Sequence, residues 1–184
     1  TRPFGGWLSD RLGGARVTVG AFSAMVLFTG GVLWTLTQLT PIGAAADPAA
    51  AAEANKQWFP LFLGFFLLVF AATGIGNGST YRMIPTIWRY EATEGLAPEP
   101  TSDTWRAAVL KATKESSAAV GIIGAVGALG GFLIPMMFGA PWIEDPLSSV
   151  KNAFVLFIGY YLVCALVTWA VYLRRGARLA AAGA

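Results

Sequence analysis

Long apolar runs alternate with short polar segments along the chain, and this pattern predicts its elements. Four runs are almost free of charged residues. Each provides at least the roughly 20 residues that a helix needs to cross a bilayer, and backbone groups in lipid must be paired within such a helix. We therefore predict four transmembrane helices, at residues 17–39, 58–88, 118–138 and 153–173.

The polar segments between these helices predict how the bundle is oriented. Successive segments lie on alternate sides of the membrane, and Lys and Arg favour the cytoplasmic side. One side carries Arg11, Arg16, Arg82, Arg89, Arg106, Lys111, Lys114, Arg174, Arg175 and Arg178, whereas the other carries Lys56 and Lys151. We expect the first side, with the loop of about 91–115 and the C-terminus, to face the cytoplasm. Within that loop, residues 101–115 have helical spacing, which fits either a helix at the membrane surface or a solvated linker.

The composition excludes several classes of function. Hydrophobic residues make up 55% of the 184 residues and charged residues only 12%, against about 25% charged in a soluble domain. The 13 Lys and Arg against 10 Asp and Glu give a net charge of +3, which is too small and too dispersed for nucleic-acid binding. With no His and one Cys, the chain lacks a His-ligated metal site, a His-dependent triad and an internal disulfide.

Two further observations concern the chemistry and the extent of the chain. The predicted helices contain no acid/base pair and no activated nucleophile, so an enzyme is the least favoured class and we expect no cofactor. Residue 1 is Thr, and the first residues do not have the pattern of a signal peptide. We therefore expect the chain to begin inside a larger protein.

The second predicted helix carries a polar, glycine-rich segment at residues 74–81. Such a segment is poorly suited to face lipid, so it should face the interior of the bundle. Asn77 either donates a hydrogen bond to a neighbouring helix or lines a pore, and the two interpretations carry equal weight. Thr73, Asn77 and Thr80 recur at helical spacing and form a polar stripe, and Tyr81 lies at its edge. Arg82 follows near the cytoplasmic end, where it fits a vestibule residue or a side chain that reaches out to water.

The third predicted helix carries five glycines, Gly121, Gly124, Gly127, Gly130 and Gly131. A spacing of three residues is shorter than one helical turn, so this row of glycines winds around the helix. More than one neighbouring helix should therefore approach it closely. Two glycines at a spacing of four would by themselves be an ordinary close-packing pair. The additional glycines favour a helix that packs on one side and faces a substrate path on another.

A charged motif precedes the first predicted helix and carries the first resemblance. It runs Gly6-Trp7-Leu8-Ser9-Asp10-Arg11-Leu12-Gly13-Gly14 and resembles the loop signature of the major facilitator superfamily. Asp10 can pair with an Arg or cap a helix, and the two glycines permit a tight reversal of the chain. A charge pair here could latch neighbouring helices in one state of a transporter. A simple charged turn is the alternative.

Three strings within the chain resemble the nitrate/nitrite porter family of that superfamily: residues 2–6, 74–85 and 121–135. The resemblance implies an all-α integral membrane fold, in which residues 1–184 form the C-terminal portion of a twelve-helix bundle. The four predicted helices would then be helices nine to twelve, and residues 1–4 would end helix eight.

The resemblance also implies a function and a site. Arg2 matches the Arg that binds the anion together with a counterpart in the N-terminal half, which this chain lacks. Gly124, Gly127 and Gly130 match a signature segment beside the substrate path, and Asn77, Ser79 and Tyr81 are candidates to line that path. Gly6, Asp10, Arg11, Gly13 and Gly14 are the candidate gating motif.

The function implied is secondary transport of nitrate, nitrite or both across the inner membrane by alternating access. No carboxylate or His lies in the interior of the four predicted helices, which mildly favours an antiporter and leaves a proton symporter open. The alternatives are a related transporter for another small solute or drug, and a membrane subunit that does not transport. The expected partners are nitrate or nitrite, the lipid bilayer and the missing half of the protein.

Overall fold

A computed structural model of the chain describes residues 1–96, 102–138 and 146–174, and every regular element within these ranges is helical. The helices are α1 (Arg2–Leu12), α2 (Gly14–Thr37), α3 (Pro48–Lys56), α4 (Phe59–Thr93), α5 (Asp103–Phe138) and α6 (Pro146–Thr168). A short 3₁₀ turn at Ile42–Ala44 precedes α3, and α6 continues as a π-helical turn at Trp169–Leu173. The expected all-α fold is confirmed.

Four of these helices are long and apolar enough to cross a membrane, as the sequence predicts. They are α2, α4, α5 and α6. The 35 residues of α4 correspond to about 52 Å of helix, against a hydrocarbon core of about 30 Å, so this helix extends beyond the lipid. The chain is a multi-pass membrane protein.

The segment predicted as a loop at 91–115 is largely helical in the structure. Helix α4 continues to Thr93, and α5 starts at Asp103 and runs without a break to Phe138. No Gly or Pro occurs in α5 before Gly121, and Ser117 Oγ donates a hydrogen bond to the Thr113 carbonyl within the helix. Because nothing interrupts the helix, the segment expected at the membrane surface extends the third membrane-spanning helix.

Helix α2 forms the centre of the fold and packs against both α4 and α6. Its buried positions include Thr18, Ala21, Met25, Thr29 and Val32, which recur every three or four residues and so share one face. Helix α1 packs on α4 and α2. The turn between α1 and α2 defines the loop end of the bundle, and residues 38–58 define the opposite end.

The opposite end is a folded connection that the sequence analysis treated as a simple polar segment. Asp47 caps α3 by accepting hydrogen bonds from the backbone N–H groups of Ala49 and Ala50, at 3.0 and 3.1 Å. The side-chain amide of Asn55 accepts from Thr40 N at 3.0 Å and donates to Thr40 O at 2.9 Å. These bonds tie α3 to the end of α2.

Candidate functional site

Glycines allow α1 and α4 to touch through their backbones. A Cβ atom added to Gly5 would collide with the carbonyl group of Ile75, and one added to Gly78 would collide with the carbonyl group of Arg2. A Cβ added to Gly74 would collide with the side chain of Thr1, which directly precedes α1. The glycine-rich segment of α4 therefore faces a neighbouring helix, as the sequence predicts, and it holds the backbone of Arg2 against the middle of α4.

Arg2 lies beside the polar stripe of α4. Its side chain is exposed, and none of the described residues forms an ion pair or hydrogen bond with its guanidinium. Asn77 precedes the contact residue Gly78 and is half-buried, and Tyr81 follows on the same face of α4 and is exposed. The structure thus brings Arg2 to the turn of α4 that carries Asn77 and Tyr81.

Asn77 is free to interact with a partner outside the described part of the chain. No residue of that part forms a hydrogen bond with its side-chain amide. Asn77 was predicted either to form an interhelical hydrogen bond or to line a pore. The described helices do not form that hydrogen bond.

Ser79 has a different environment from Asn77. It is completely buried, with 0% of its surface exposed. Its Oγ donates to the Gly14 carbonyl oxygen at 2.8 Å and lies 3.0 Å from Thr18 Oγ1. These contacts join α4 to the start of α2, and they place Ser79 away from the exposed face that carries Tyr81.

The glycines of the loop motif form the predicted reversal between α1 and α2. Gly13 has a φ of 87°, which glycine adopts far more readily than other residues, and its N–H donates to the Ser9 carbonyl at 3.0 Å. A Cβ on Gly14 would collide with the side chain of Met83 on α4. Gly6 differs, because a Cβ at that position would meet no atom within 4 Å among the described residues.

The charged residues of the motif bind different partners. Asp10 Oδ1 accepts a hydrogen bond from Arg82 Nε at 2.8 Å, which links the end of α1 to α4. The two side chains remain 51% and 62% exposed. The Arg11 guanidinium lies 4.3 Å from the centre of the Trp7 ring, in a cation–π contact.

The predicted glycine track on α5 has no neighbour within the described chain. A Cβ added to Gly124, Gly127 or Gly130 would meet no atom within 4 Å. Helix α5 instead packs on α4, and its buried residues Ala112 and Ser116 lie before the track. The structure therefore does not bring these three glycines together with Arg2, and their role beside a substrate path stays a prediction.

The partners of Asp10 and Ser79 cannot be identified from the sequence. The sequence allows Asp10 to pair with an Arg or to cap a helix, but 72 residues separate it from Arg82 and no local spacing joins them. One signal was present, because Gly74, Gly78 and Arg82 recur every four residues and so share one face of α4. Among the described residues, no group of three His, Cys, Asp or Glu could hold a metal ion.

Comparison with known proteins supports the resemblance found in the sequence. No family model matches the chain. It is 36% identical to the nitrate/nitrite transporter NarU of Salmonella typhimurium over 95% of this chain and 34% of that protein. It is 35% identical to NarU of Escherichia coli, over 95% of this chain and 34% of the relative. It is 27% identical to the probable nitrate/nitrite antiporter NarK2 of Thermus thermophilus, over 96% of this chain and 31% of the relative.

The chain thus spans about a third of the length of the relatives it matches. The match nevertheless extends over 95–96% of its own residues. Over almost its entire length, the chain is therefore similar to part of proteins that are named nitrate/nitrite transporters.

Proposed function

We propose that this chain is part of a membrane transporter for nitrate, nitrite or both. Residues 1–184 would form its C-terminal portion, with α2, α4, α5 and α6 as the last four helices of a twelve-helix bundle. Two relatives are named nitrate/nitrite transporters and another a probable nitrate/nitrite antiporter. Transport would proceed by alternating access, in which this half rocks against the other half.

The observation that carries the proposal is the position of Arg2. Its backbone lies against Gly78 in the glycine-rich turn of α4, and its guanidinium has no partner among the described residues. Nitrate is a planar anion with acceptor oxygens, and a guanidinium is a planar, permanently charged group of donors. Arg2 would therefore bind the anion together with an Arg of the other half.

Polar residues near Arg2 and small residues on α5 would complete the path in the assembled transporter. Asn77 and Tyr81 lie on the neighbouring face of α4 and would offer hydrogen bonds to the anion. Gly124, Gly127 and Gly130 on α5 would form a smooth wall without side chains. Ser79, which is buried against α2, would hold α4 in place behind the residues that line the path.

The distribution of charge supports an orientation with the loop end in the cytoplasm. Among the described residues, the loop end carries Arg11, Arg16, Arg82, Arg89, Arg106, Lys111, Lys114 and Arg174, and the opposite end carries Lys56 and Lys151. Lys and Arg near the ends of membrane helices favour the cytoplasmic side. For a bacterial transporter of this family, the membrane would be the inner membrane.

Anion exchange is the form of transport that the chain favours. Residues 17–37, 59–81, 118–138 and 147–173 contain no Asp, Glu or His. These segments therefore contribute no carboxylate or imidazole to carry a coupled proton. Proton symport would require groups outside these segments, and the experiment below distinguishes the two.

Arg2→Lys in the full-length transporter tests the site. Nitrate/nitrite exchange in proteoliposomes should fall at least about tenfold, because Lys keeps the charge but loses the paired donors of the guanidinium. Arg106→Lys is the matched control, since Arg106 is exposed on α5 outside the α1–α4 contact, and it should leave exchange unchanged.

Three other results would change the proposal. Exchange unaffected by Arg2→Lys would remove Arg2 from the site. Uptake that follows an imposed pH gradient rather than a counter-anion would indicate proton symport. Absence of nitrate and nitrite flux in the unaltered protein would reject transport of these anions, in favour of another solute or a subunit that does not transport.

A further inference from the structure

One face of α4 links the contact with Arg2 to the loop end of the bundle. Gly78 and Arg82 are four residues apart and share this face, and α1 runs along it. The first residues of α1 touch Gly78, and Asp10 near its end pairs with Arg82. Arg82 therefore lies one helical turn, about 6 Å along the axis, closer to the loop end than the residue that holds Arg2.

Arg82 borders a cavity of about 330 Å³ between the end of α1 and α4. Asp10, Ser9 and Thr86 also line this cavity. Asp10 binds the guanidinium through Nε alone, at 2.8 Å. Among the described residues, neither terminal nitrogen of that guanidinium has a hydrogen-bond partner. The cavity thus contains unused donors of a permanently charged group.

At this end of the bundle, positive charges outnumber negative ones even when Asp10, Glu91 and Glu94 are counted. Arg11, Arg16 and Arg89 lie near this end of the bundle, and none of them forms an ion pair within the described chain. Clustered charges of one sign raise the local concentration of small ions of the opposite sign. A small anion at the loop end should therefore accumulate near Arg82.

The carboxylate of Asp10 resembles such an anion. Carboxylate and nitrate are both planar, carry one negative charge and accept hydrogen bonds from a guanidinium. An exposed ion pair contributes only about 0–1 kcal/mol, so an anion present at sufficient concentration can displace the carboxylate. Asp10 and a free anion would compete for the same group.

We propose that Arg82 is a second anion-binding residue, which follows Arg2 on the route to the loop end. When no substrate anion is bound, the Asp10 carboxylate binds the Arg82 guanidinium and acts as an internal competitor. This inference rests on the proposed function. The Asp10 carboxylate thereby takes part in substrate binding. The anion that leaves Arg2 replaces Asp10 at Arg82 before it reaches the water at the loop end.

The test compares Asp10→Asn with Arg82→Gln in the full-length transporter in proteoliposomes. The measured quantity is the nitrate concentration that half-saturates exchange from each side of the membrane. At the loop end, Asp10→Asn should lower this concentration about threefold because the competitor is removed, and Arg82→Gln should raise it by a similar factor. The value measured from the opposite end should not change in either variant.

A purely structural ion pair predicts a different result. Either substitution breaks the same bond, so both variants would change the half-saturating concentration in the same direction, and that outcome would overturn the proposal. In the double variant, Asp10→Asn should have no effect beyond that of Arg82→Gln. An additional decrease would show that Asp10 acts on another cation, which would also overturn the assignment to Arg82.

Glu115→Gln is the matched control for charge. Glu115 forms an exposed ion pair with Lys111 at 3.7 Å at the same end of the chain, so this variant also removes one negative charge and one pair. It should leave both concentrations unchanged, and an effect equal to that of Asp10→Asn would reject specific competition. Failure of the proposed function is distinguishable, because the unaltered protein would then carry no nitrate at all.

Discussion

Asn77 and Ser79 are both small polar residues in the same turn of α4, but they have different surroundings. Ser79 faces α2 and is fully buried, whereas Asn77 is half-buried and has no hydrogen-bond partner among the described residues. Two positions along a helix differ by about 200° in direction, so one residue faces the packed interior and the other a different side. The sequence predicted that this segment faces inward, but it could not separate residues that hold helices together from residues that remain available to a substrate.

Ser79→Ala should destabilise the protein without altering the anion site. The substitution removes a buried hydroxyl that bonds Gly14 O, and it leaves that carbonyl and Thr18 without this partner. We expect the free energy of unfolding to fall by about 1–2 kcal/mol, measured by thermal unfolding of the full-length protein in detergent. Nitrate affinity of the folded fraction should stay within twofold.

Ser23→Ala is the control for the hydroxyl itself. Ser23 is exposed on α2, and its Oγ donates to the Val19 carbonyl within the same helix, at 2.9 Å. Its loss should have little effect on stability. Equal destabilisation by the two substitutions would contradict a special role of Ser79 in joining α2 to α4.

At the level of elements, the sequence predicted the membrane helices well and their continuations poorly. Four apolar runs were sufficient to identify α2, α4, α5 and α6, because crossing a bilayer requires length and hydrophobicity that can be counted along the chain. The third helix begins at Asp103, well before the predicted start of the membrane span at residue 118, since charged residues at the end of a helix mark the membrane boundary and do not end the helix. The ion pair of Asp10 with Arg82 depends on how α1 lies on α4, and periodicity within one segment carries no such information.

Gly78→Ala should separate α1 from α4. The added methyl group would collide with the backbone carbonyl of Arg2, and backbone atoms cannot move aside as a flexible side chain can. We expect α1 to shift, with a loss of stability of about 1–3 kcal/mol and at least tenfold weaker nitrate exchange, because Arg2 would leave its position. Purified protein yield, thermal unfolding and exchange in proteoliposomes measure these effects.

Gly64→Ala is the corresponding control on the same helix. A Cβ at Gly64 would meet no atom within 4 Å among the described residues, so its addition should leave exchange unchanged. A harmless Gly78→Ala substitution would mean that α1 does not lie on α4 in the intact transporter. The proposed position of Arg2 would then have to be abandoned.

At the level of the whole molecule, the two ends of the bundle differ in both charge and architecture. The loop end carries most of the Lys and Arg residues and the ion pair between α1 and α4. The opposite end is closed by α3, which Asn55 ties to Thr40 through two hydrogen bonds. This contrast predicts that the loop end faces the cytoplasm, and the orientation can be measured directly.

Single cysteines introduced at the two ends should react from opposite sides of the membrane. Lys56 lies at the opposite end and Lys114 at the start of α5, and both side chains are exposed. In a full-length transporter without other cysteines, which here requires Cys164→Ala, Lys56→Cys should react with a membrane-impermeant maleimide in intact cells. Lys114→Cys should react only after the membrane is permeabilised, because its end carries the excess of positive charge. The reverse pattern would place the loop end outside, and an anion taken up by the cell would then meet Arg82 before Arg2 instead of after it.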